Sequence, residues 1–486
     1  RYFEIGPKGP TGRVIEGRRP SESFIPVAPV KKRGRPARKA AASTAIVDQG
    51  DQLTLALLEE TVQSNTLINE LRRDVSKWRL SGYNGASATS EKLLRNWASP
   101  TRENRILFAQ REAAETAIFL AEVSGRHGFT DWRPRLDEQN AEHNANLPRI
   151  ALKMATGSGK TVVMAMLIAW QTLNKIASPT DKRYAKRFLV ITPGITIRDR
   201  LRVLQPNDPG NYYDQRGLVP ADLRGLLGKA QILITNYHAF LLKDRKEIKG
   251  VARNTRQILL GGKTDDPFKE TESDMVSRVL RGWGVGTNQR QSEIIVFNDE
   301  AHHCYSDKPY AVEAEEDQGA VGDDKKDIAE RNEGARLWFK GIRAIADKVG
   351  VKTVYDLSAT PFYLSGSGYK DGFIFPWVVS DFSLMDAIEC GIVKVPRIPV
   401  DDNADVDTVT FRNLWTQIDK QLPKRARADT DITNWVPPAE LEAALHSLYR
   451  SYQSAFEHWQ STLAPVGEPP PVFIVVCPNT AVSKLV

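Results

Sequence analysis

The chain has 486 residues, room for roughly two to four domains at the usual 100 to 200 residues each, so a small disulfide-stapled scaffold is excluded. With 41% hydrophobic and 26% charged residues and only three widely spaced cysteines, the composition is that of a folded chain without a disulfide framework or a zinc-type Cys spacing, and a reducing cytoplasm is the expected setting. The longest apolar run, Val162 to Trp170, falls far short of the roughly 18 residues of a membrane span, and the net charge of +7 is concentrated at one end.

Residues 1–40 hold eleven Lys and Arg against Glu4, Glu16 and Glu22, which leaves the remainder of the chain at −1. Residues 1–50 are rich in Gly, Pro, Arg and Lys and read as a short N-terminal module followed by a flexible basic linker. From Leu53 to Leu80 the pattern is helical, with Ile68, Leu71, Val75 and Trp78 recurring on one face as core. A second helical stretch, Arg105 to Val123, precedes a polar loop that runs to Pro148, so residues 51–145 are expected to be mostly helical.

Short apolar strands then alternate with helical patterns: Arg149 to Ala155, Arg187 to Thr192, Gln231 to Thr235, Glu293 to Asn298 and Lys352 to Leu357. Near-continuous apolar runs of this kind belong to a parallel sheet covered on both faces, so the fold class is α/β, with residues 146–365 as one domain. Polar insertions near residues 243 to 292 and 306 to 333 read as surface loops. Residues 366–470 form a connecting region with a helix from Pro438 to Leu463 and a break at Pro469, Pro470 and Pro471. Val472 to Cys477 reads as a buried strand opening a second α/β domain at 471–486, cut off by the end of the sequence. Because the chain also lacks an initial Met, it is expected to be a piece of a longer one.

The first chemistry-bearing segment is Ala155-Thr156-Gly157-Ser158-Gly159-Lys160-Thr161, between a strand and a helical pattern. Phosphate oxygens need several backbone N–H donors at close range, so glycines line such a turn, and the helix N-terminus adds its positive dipole end. Lys160 is placed to reach the terminal phosphates of ATP, and the Thr161 hydroxyl to ligate Mg²⁺. The second segment is Asp299-Glu300-Ala301-His302 at the end of a strand. Asp299 is expected to hold the Mg²⁺ through its water shell and Glu300 to act as general base toward the attacking water, since phosphoryl transfer chiefly needs positioning and charge neutralisation. His302 and His303 lack a third ligand for a metal site, and His302 is read as a coupling residue.

With both segments placed, the chain resembles a superfamily 2 helicase of the DEAH-containing kind, whose RecA-like motor domain the resemblance implies here, with a second such domain beginning after the connecting region. Thr192-Pro193-Gly194, Thr235-Asn236-Tyr237 and Ser358-Ala359-Thr360 stand in that family's order. The resemblance implies that Ser358 and Thr360 pair with His302 to link hydrolysis to movement, and that Thr192 and Thr235 lie along a nucleic-acid track. More specifically, Phe108-Ala109-Gln110-Arg111-Glu112-Ala113-Ala114-Glu115-Thr116, Gly17-Arg18-Arg19-Pro20-Ser21, Trp78-Arg79 with Gly82-Tyr83, and Val475-Val476-Cys477-Pro478-Asn479-Thr480 resemble the restriction (Res) subunit of type III restriction–modification enzymes. That likeness implies that Gln110 reads the adenine edge, that the substrate track is double-stranded DNA, and that a methyltransferase subunit is the partner. It also places arginine fingers in the second motor domain and a nuclease beyond it. A type I restriction motor, or a repair or RNA helicase, shares the same core and is the nearest alternative.

Lys31 to Lys39 resembles an AT-hook, with Arg33, Gly34, Arg35 and Pro36 as the core that enters a minor groove. Narrow A·T-rich grooves are strongly negative, so two arginines around a Gly can insert deeply. A solvated basic linker with salt-sensitive attraction to DNA is the other reading, and a non-enzymatic DNA-binding protein dominated by this arm is the alternative from another class.

Overall fold

The structure is a computed structural model and describes residues 2–6, 9–24, 62–243, 269–283, 294–306, 323–363, 367, 369, 372–394, 414–422, 435–478 and 480–486. The expected AT-hook core at Arg33, Gly34, Arg35 and Pro36 lies outside the described residues, as do residues 53–61 of the expected first helix. The chain divides into two units, residues 1–394 and 395–486.

The first unit is built on strands β5 (Arg149–Met154), β6 (Arg187–Thr192), β7 (Gln231–Asn236), β8 (Ile294–Asp299), β9 (Val351–Ser358) and β10 (Val378–Phe382). They form one parallel sheet in the order β10-β5-β9-β8-β6-β7. Alternate side chains leave opposite faces of a strand, and here both faces are covered, with the edge strand β7 partly exposed along its length. Phe188, Val190, Ile295 and Phe297 enter a core built with the helices Thr66–Leu80, Ala88–Ala98, Phe108–Glu122 and Lys160–Ala177. Leu189, Ile191, Ile294 and Val296 enter a second core with Trp338, Phe339, Ile342 and Ile345 of the helix Asp323–Lys348. This is the expected α/β fold, with the RecA-like parallel sheet that the resemblance implies, and five of its six strands fall within a residue or two of their expected limits.

The sixth strand, β10, falls in the expected connecting region. Its Ser380 and Asp381 break the apolar pattern, but both are buried, and Asp381 pairs with Lys153 of β5 at 2.9 Å. The expected polar loop before Pro148 contains the helix Arg133–His143, which buries only Leu136 and Asn140 and so shows little hydrophobic periodicity. In the first insertion Thr271 and Asp274 form a capping box that starts the helix Glu272–Val279, with Met275 and Val276 buried. The second insertion gives way to helix at Asp323.

Before the sheet, β1 (Tyr2–Gly6) pairs antiparallel with β2 (Gly9–Ile15), and β3 (Glu22–Phe24) with β4 (Val62–Ser64). Residues 62–64 are therefore strand, not helix, and the helix begins at Thr66. Its predicted face is buried: Ile68, Leu71, Val75 and Trp78 are all 3% exposed or less.

In the second unit the helix Ala439–Thr462 matches expectation, and Leu441 packs with Ile418, Leu422 and Val482. Val472 to Cys477 does not form the expected buried strand. Val472, Ile474 and Val476 are 77%, 75% and 76% exposed. A strand draws its backbone bonds from a neighbour, and among the described residues of this unit there is none.

Candidate nucleotide site

β5 ends in the loop 155–159, which closes on itself: Ser158 N–H donates to the Ala155 carbonyl at 3.1 Å and the Ser158 hydroxyl to the same oxygen at 2.6 Å. Gly157 and Gly159 sit at φ +82° and +90°, a region that favours glycine, and a Cβ on Gly157 would project into open space. Gly159 caps the helix that begins at Lys160, so its first N–H groups and dipole face the loop. The Gln110 side chain lies against Gly159, where a Cβ would overlap its amide. Gln110 Nε2 donates to the Ser158 carbonyl at 2.9 Å, and its Oε1 accepts from Leu107 N–H at 3.1 Å. The side chain therefore braces the loop from the start of its own helix.

The carboxylates come from β8, which is separated from β5 by β9 alone. Lys160 Nζ stands 3.0 Å from Glu300 Oε1, so loop and strand end meet across that gap. Glu300 has φ +55°, a left-handed conformation that is uncommon for a non-glycine residue and turns its carboxylate off the strand direction. Asp299 is 8% exposed. Burial, with the adjacent charge of Glu300, pushes its carboxyl up to about 6. Two carboxylates held this close call for cations, and Lys160 supplies one. The residues fit a Mg²⁺ bound with a nucleotide, because that ion takes one or two carboxylate or hydroxyl ligands and completes its shell with water and phosphate oxygens; Thr161 and Asp299 are the candidates to hold it. Among the described residues, no cluster of three His, Cys, Asp or Glu forms a protein-only metal cage.

Between these elements β9 brings up Ser358. His302 Nδ1 and the Ser358 hydroxyl are 2.9 Å apart, and Thr360 N–H donates to that hydroxyl at 3.0 Å. The expected trio is therefore joined through Ser358. Burial, with His303 beside it, pushes the His302 imidazole down to about 4, so the ring is neutral near pH 7. Thr192 and Thr235 end neighbouring strands, and the Thr192 hydroxyl donates to the Gly194 carbonyl at 2.9 Å. Thr192 is wholly buried, so its side chain is closed to a nucleic-acid backbone, whereas Thr235 is partly exposed.

Other residues of the site escaped the sequence. Arg149 is fully buried at the start of β5; its Nε donates to Asp356 Oδ2 at 2.8 Å and one Nη to the Cys304 carbonyl at 2.9 Å. Asp356 also accepts from Asn298 Nδ2 at 2.7 Å and from Trp377 Nε1 at 2.8 Å. This network lies under Asp299 and Ser358 and ties three strands together. The available signal was polar Asn298 and Asp356 within apolar strands, one and two residues before site residues. A second cluster lies nearby: Arg18 pairs with Glu112 at 2.9 Å and donates to the Asp381 carbonyl at 2.6 Å, so the N-terminal segment docks onto β10.

This site coincides with the region matched by the model of one protein family, described as the type III restriction enzyme, res subunit, over residues 108–363, more than half of the chain. The chain belongs to that family. No curated protein matches it. Residues 108–363 of this Res family member are thus a superfamily 2 helicase-like ATPase motor domain, and they contain Gln110, Lys160, Glu300, His302 and Ser358. Among the described residues, no helix is long and apolar enough to cross a membrane.

Proposed function

We propose that this Res-family chain is the motor part of a type III-like restriction endonuclease subunit, which hydrolyses ATP with Mg²⁺ to move along double-stranded DNA in the cytoplasm beside a methyltransferase subunit. The observation that carries the reading is the meeting of Lys160, Glu300, His302 and Ser358 at three strand ends of one sheet. Bound Mg²⁺ would neutralise phosphate charge at the side of the site lined by Thr161 and Asp299. Lys160, now paired with Glu300, would turn to the terminal phosphates. Its release would free the Glu300 carboxylate to accept a proton from the water that attacks the γ-phosphorus as the bond to ADP breaks. Gln110, already bonded to the loop at Ser158, would link adenine recognition to loop shape. Loss of the γ-phosphate would alter the Glu300–His302–Ser358 contacts, and Thr360 and the Thr235 segment would carry that change toward DNA.

The test is ATP hydrolysis by the full-length protein with no nucleic acid, double-stranded DNA, single-stranded DNA or RNA. Hydrolysis stimulated by duplex DNA and lost in Lys160→Ala and Glu300→Gln is the expected result. Stimulation by RNA or single-stranded DNA alone would move the reading to another helicase of the same core. Unchanged hydrolysis in both variants would overturn the site assignment.

A further inference from the structure

The helix Asp323–Lys348 carries a pattern that packing alone does not require. Gly334, Trp338 and Gly341 recur at steps of four and three and share one face. A glycine inside a helix costs about 0.5–1 kcal/mol relative to Ala. Here the space of both missing side chains is taken by the turn after β7: a Cβ on Gly341 would overlap the Phe240 ring, and one on Gly334 would stand 3.2 Å from the Tyr237 hydroxyl. Between the two glycines the buried Trp338 indole stacks on Tyr237, with ring centroids 5.5 Å apart and planes 4° apart. The same indole donates from Nε1 to Asn298 Oδ1 at 3.2 Å. Asn298 directly precedes Asp299, and its Nδ2 donates to Asp356 on the strand that ends at Ser358.

We infer that Trp338 is a positioning residue that couples the occupancy of the nucleotide site to the turn Tyr237–Phe240 beside Thr235, as a second link next to His302 and Ser358. The inference rests on the reading of the chain as a DNA-stimulated ATPase. The indole has one polar bond and one broad stacking face, and it spends the first on the carboxylate strand and the second on the turn. Glycines on both sides let the turn lie directly on the helix, so there is no soft side chain between them to absorb a displacement. A shift of the β8 end when Glu300 releases Lys160 therefore reaches Tyr237 through two rigid contacts.

Hydrogen exchange of the full-length protein tests this without DNA. Adding a non-hydrolysable ATP analogue with Mg²⁺ is expected to change exchange both in the 155–161 loop and at residues 235–241. In Trp338→Phe, which keeps a stacking ring but loses the N–H, the loop response should persist and the response at 235–241 should fall by at least half. The same variant should keep its basal ATP turnover while the stimulation factor with duplex DNA drops at least fivefold. Retention of the full 235–241 response, or an equal loss of basal and stimulated turnover, would overturn the inference and leave Trp338 as packing. If Trp338→Phe does not fold, Gly334→Ala, which presses on Tyr237 from the same face, takes its place with the same expectations. Failure of the proposed function appears elsewhere, as hydrolysis that survives Lys160→Ala.

Discussion

Asp299, proposed above to hold Mg²⁺, has its ionisation shifted by the fold. Its folded-state value of about 6 lies above the ordinary 3.8, chiefly because burial disfavours the charge and secondly because Glu300 repels it. The folded protein therefore holds this proton more tightly than the unfolded chain does. The corresponding stability is present in full below about pH 4 and is lost as pH rises through about 6. With Asp299 in its proposed role toward Mg²⁺, Mg·ATP affinity is expected to rise with pH and level off above about 6. In Glu300→Gln the midpoint should move down, toward the ordinary carboxylate range; nucleotide titrations from pH 5 to 8 read both, and an unmoved midpoint would refute the coupling. His302 stays neutral over that interval, its value being held near 4, and adds no second inflection. In its proposed role as general base, Glu300 is expected to account for about 10²- to 10⁴-fold in turnover, read as the loss of kcat in Glu300→Gln with nucleotide binding retained.

At the scale of elements, what matters is how the strand ends are held at fixed spacing. β5, β8 and β9 each end in a segment of the candidate site, and Arg149, Asn298 and Asp356 bind them to one another beneath it. Arg149 and Asp356 are each 1% exposed, so removing one partner leaves an uncompensated buried charge. Asp356→Leu is expected to destabilise the fold by about 3–5 kcal/mol, and the double variant Arg149→Met/Asp356→Leu to recover most of that in denaturant unfolding. An additive double variant would show that the pair is not coupled. The loop between β5 and its helix makes the opposite demand. Gly159→Ala would strain a left-handed φ and strike Gln110, so nucleotide affinity should fall at least tenfold while the melting temperature changes by only a few degrees. Tenfold weakening with an unaltered Gln110→Ala variant would separate loop strain from the Gln110 contact.

Across the first unit, the helices that precede the phosphate loop and the sheet share one core. Leu71, Val75 and Trp78 lie in the same cluster as Val163, Phe188 and Phe297. An independent helical domain would unfold by itself, whereas a shared core unfolds with the sheet. Trp78→Ala, which empties a fully buried site, should cost about 3–5 kcal/mol and shift the same transition that Phe188→Ala shifts. Two separable transitions in calorimetry, with only one moved by Trp78→Ala, would show the helices to be autonomous. The docking of Arg18 and Ser21 onto β10 belongs to the same scale, since it ties a segment near the start of the chain to a strand some 360 residues later.

The sequence by itself determined the α/β class, five strands of the sheet, the buried face of the helix Thr66–Leu80 and the glycine turn before Lys160 with the acidic strand end that meets it. Each of these is a local pattern: a strand's apolar run, a helix's period, or a glycine turn followed by a Lys and a Thr. Tertiary structure alone decided the rest, because it depends on residues far apart in the chain. β10 is a strand because its backbone pairs in parallel with β5, and its buried Asp381 faces Lys153 and accepts from the Ser21 hydroxyl, partners that no local pattern reports. Thr192 was legible as a strand-end residue, yet its burial follows from the turn that folds over it. Val472 to Cys477 has the apolar run of a strand and remains unpaired among the described residues, because a strand is defined by its neighbours as much as by its own side chains. The same dependence on distant partners explains why Trp338 shows no functional signature in the sequence and acquires one only where Asn298 and Tyr237 meet it.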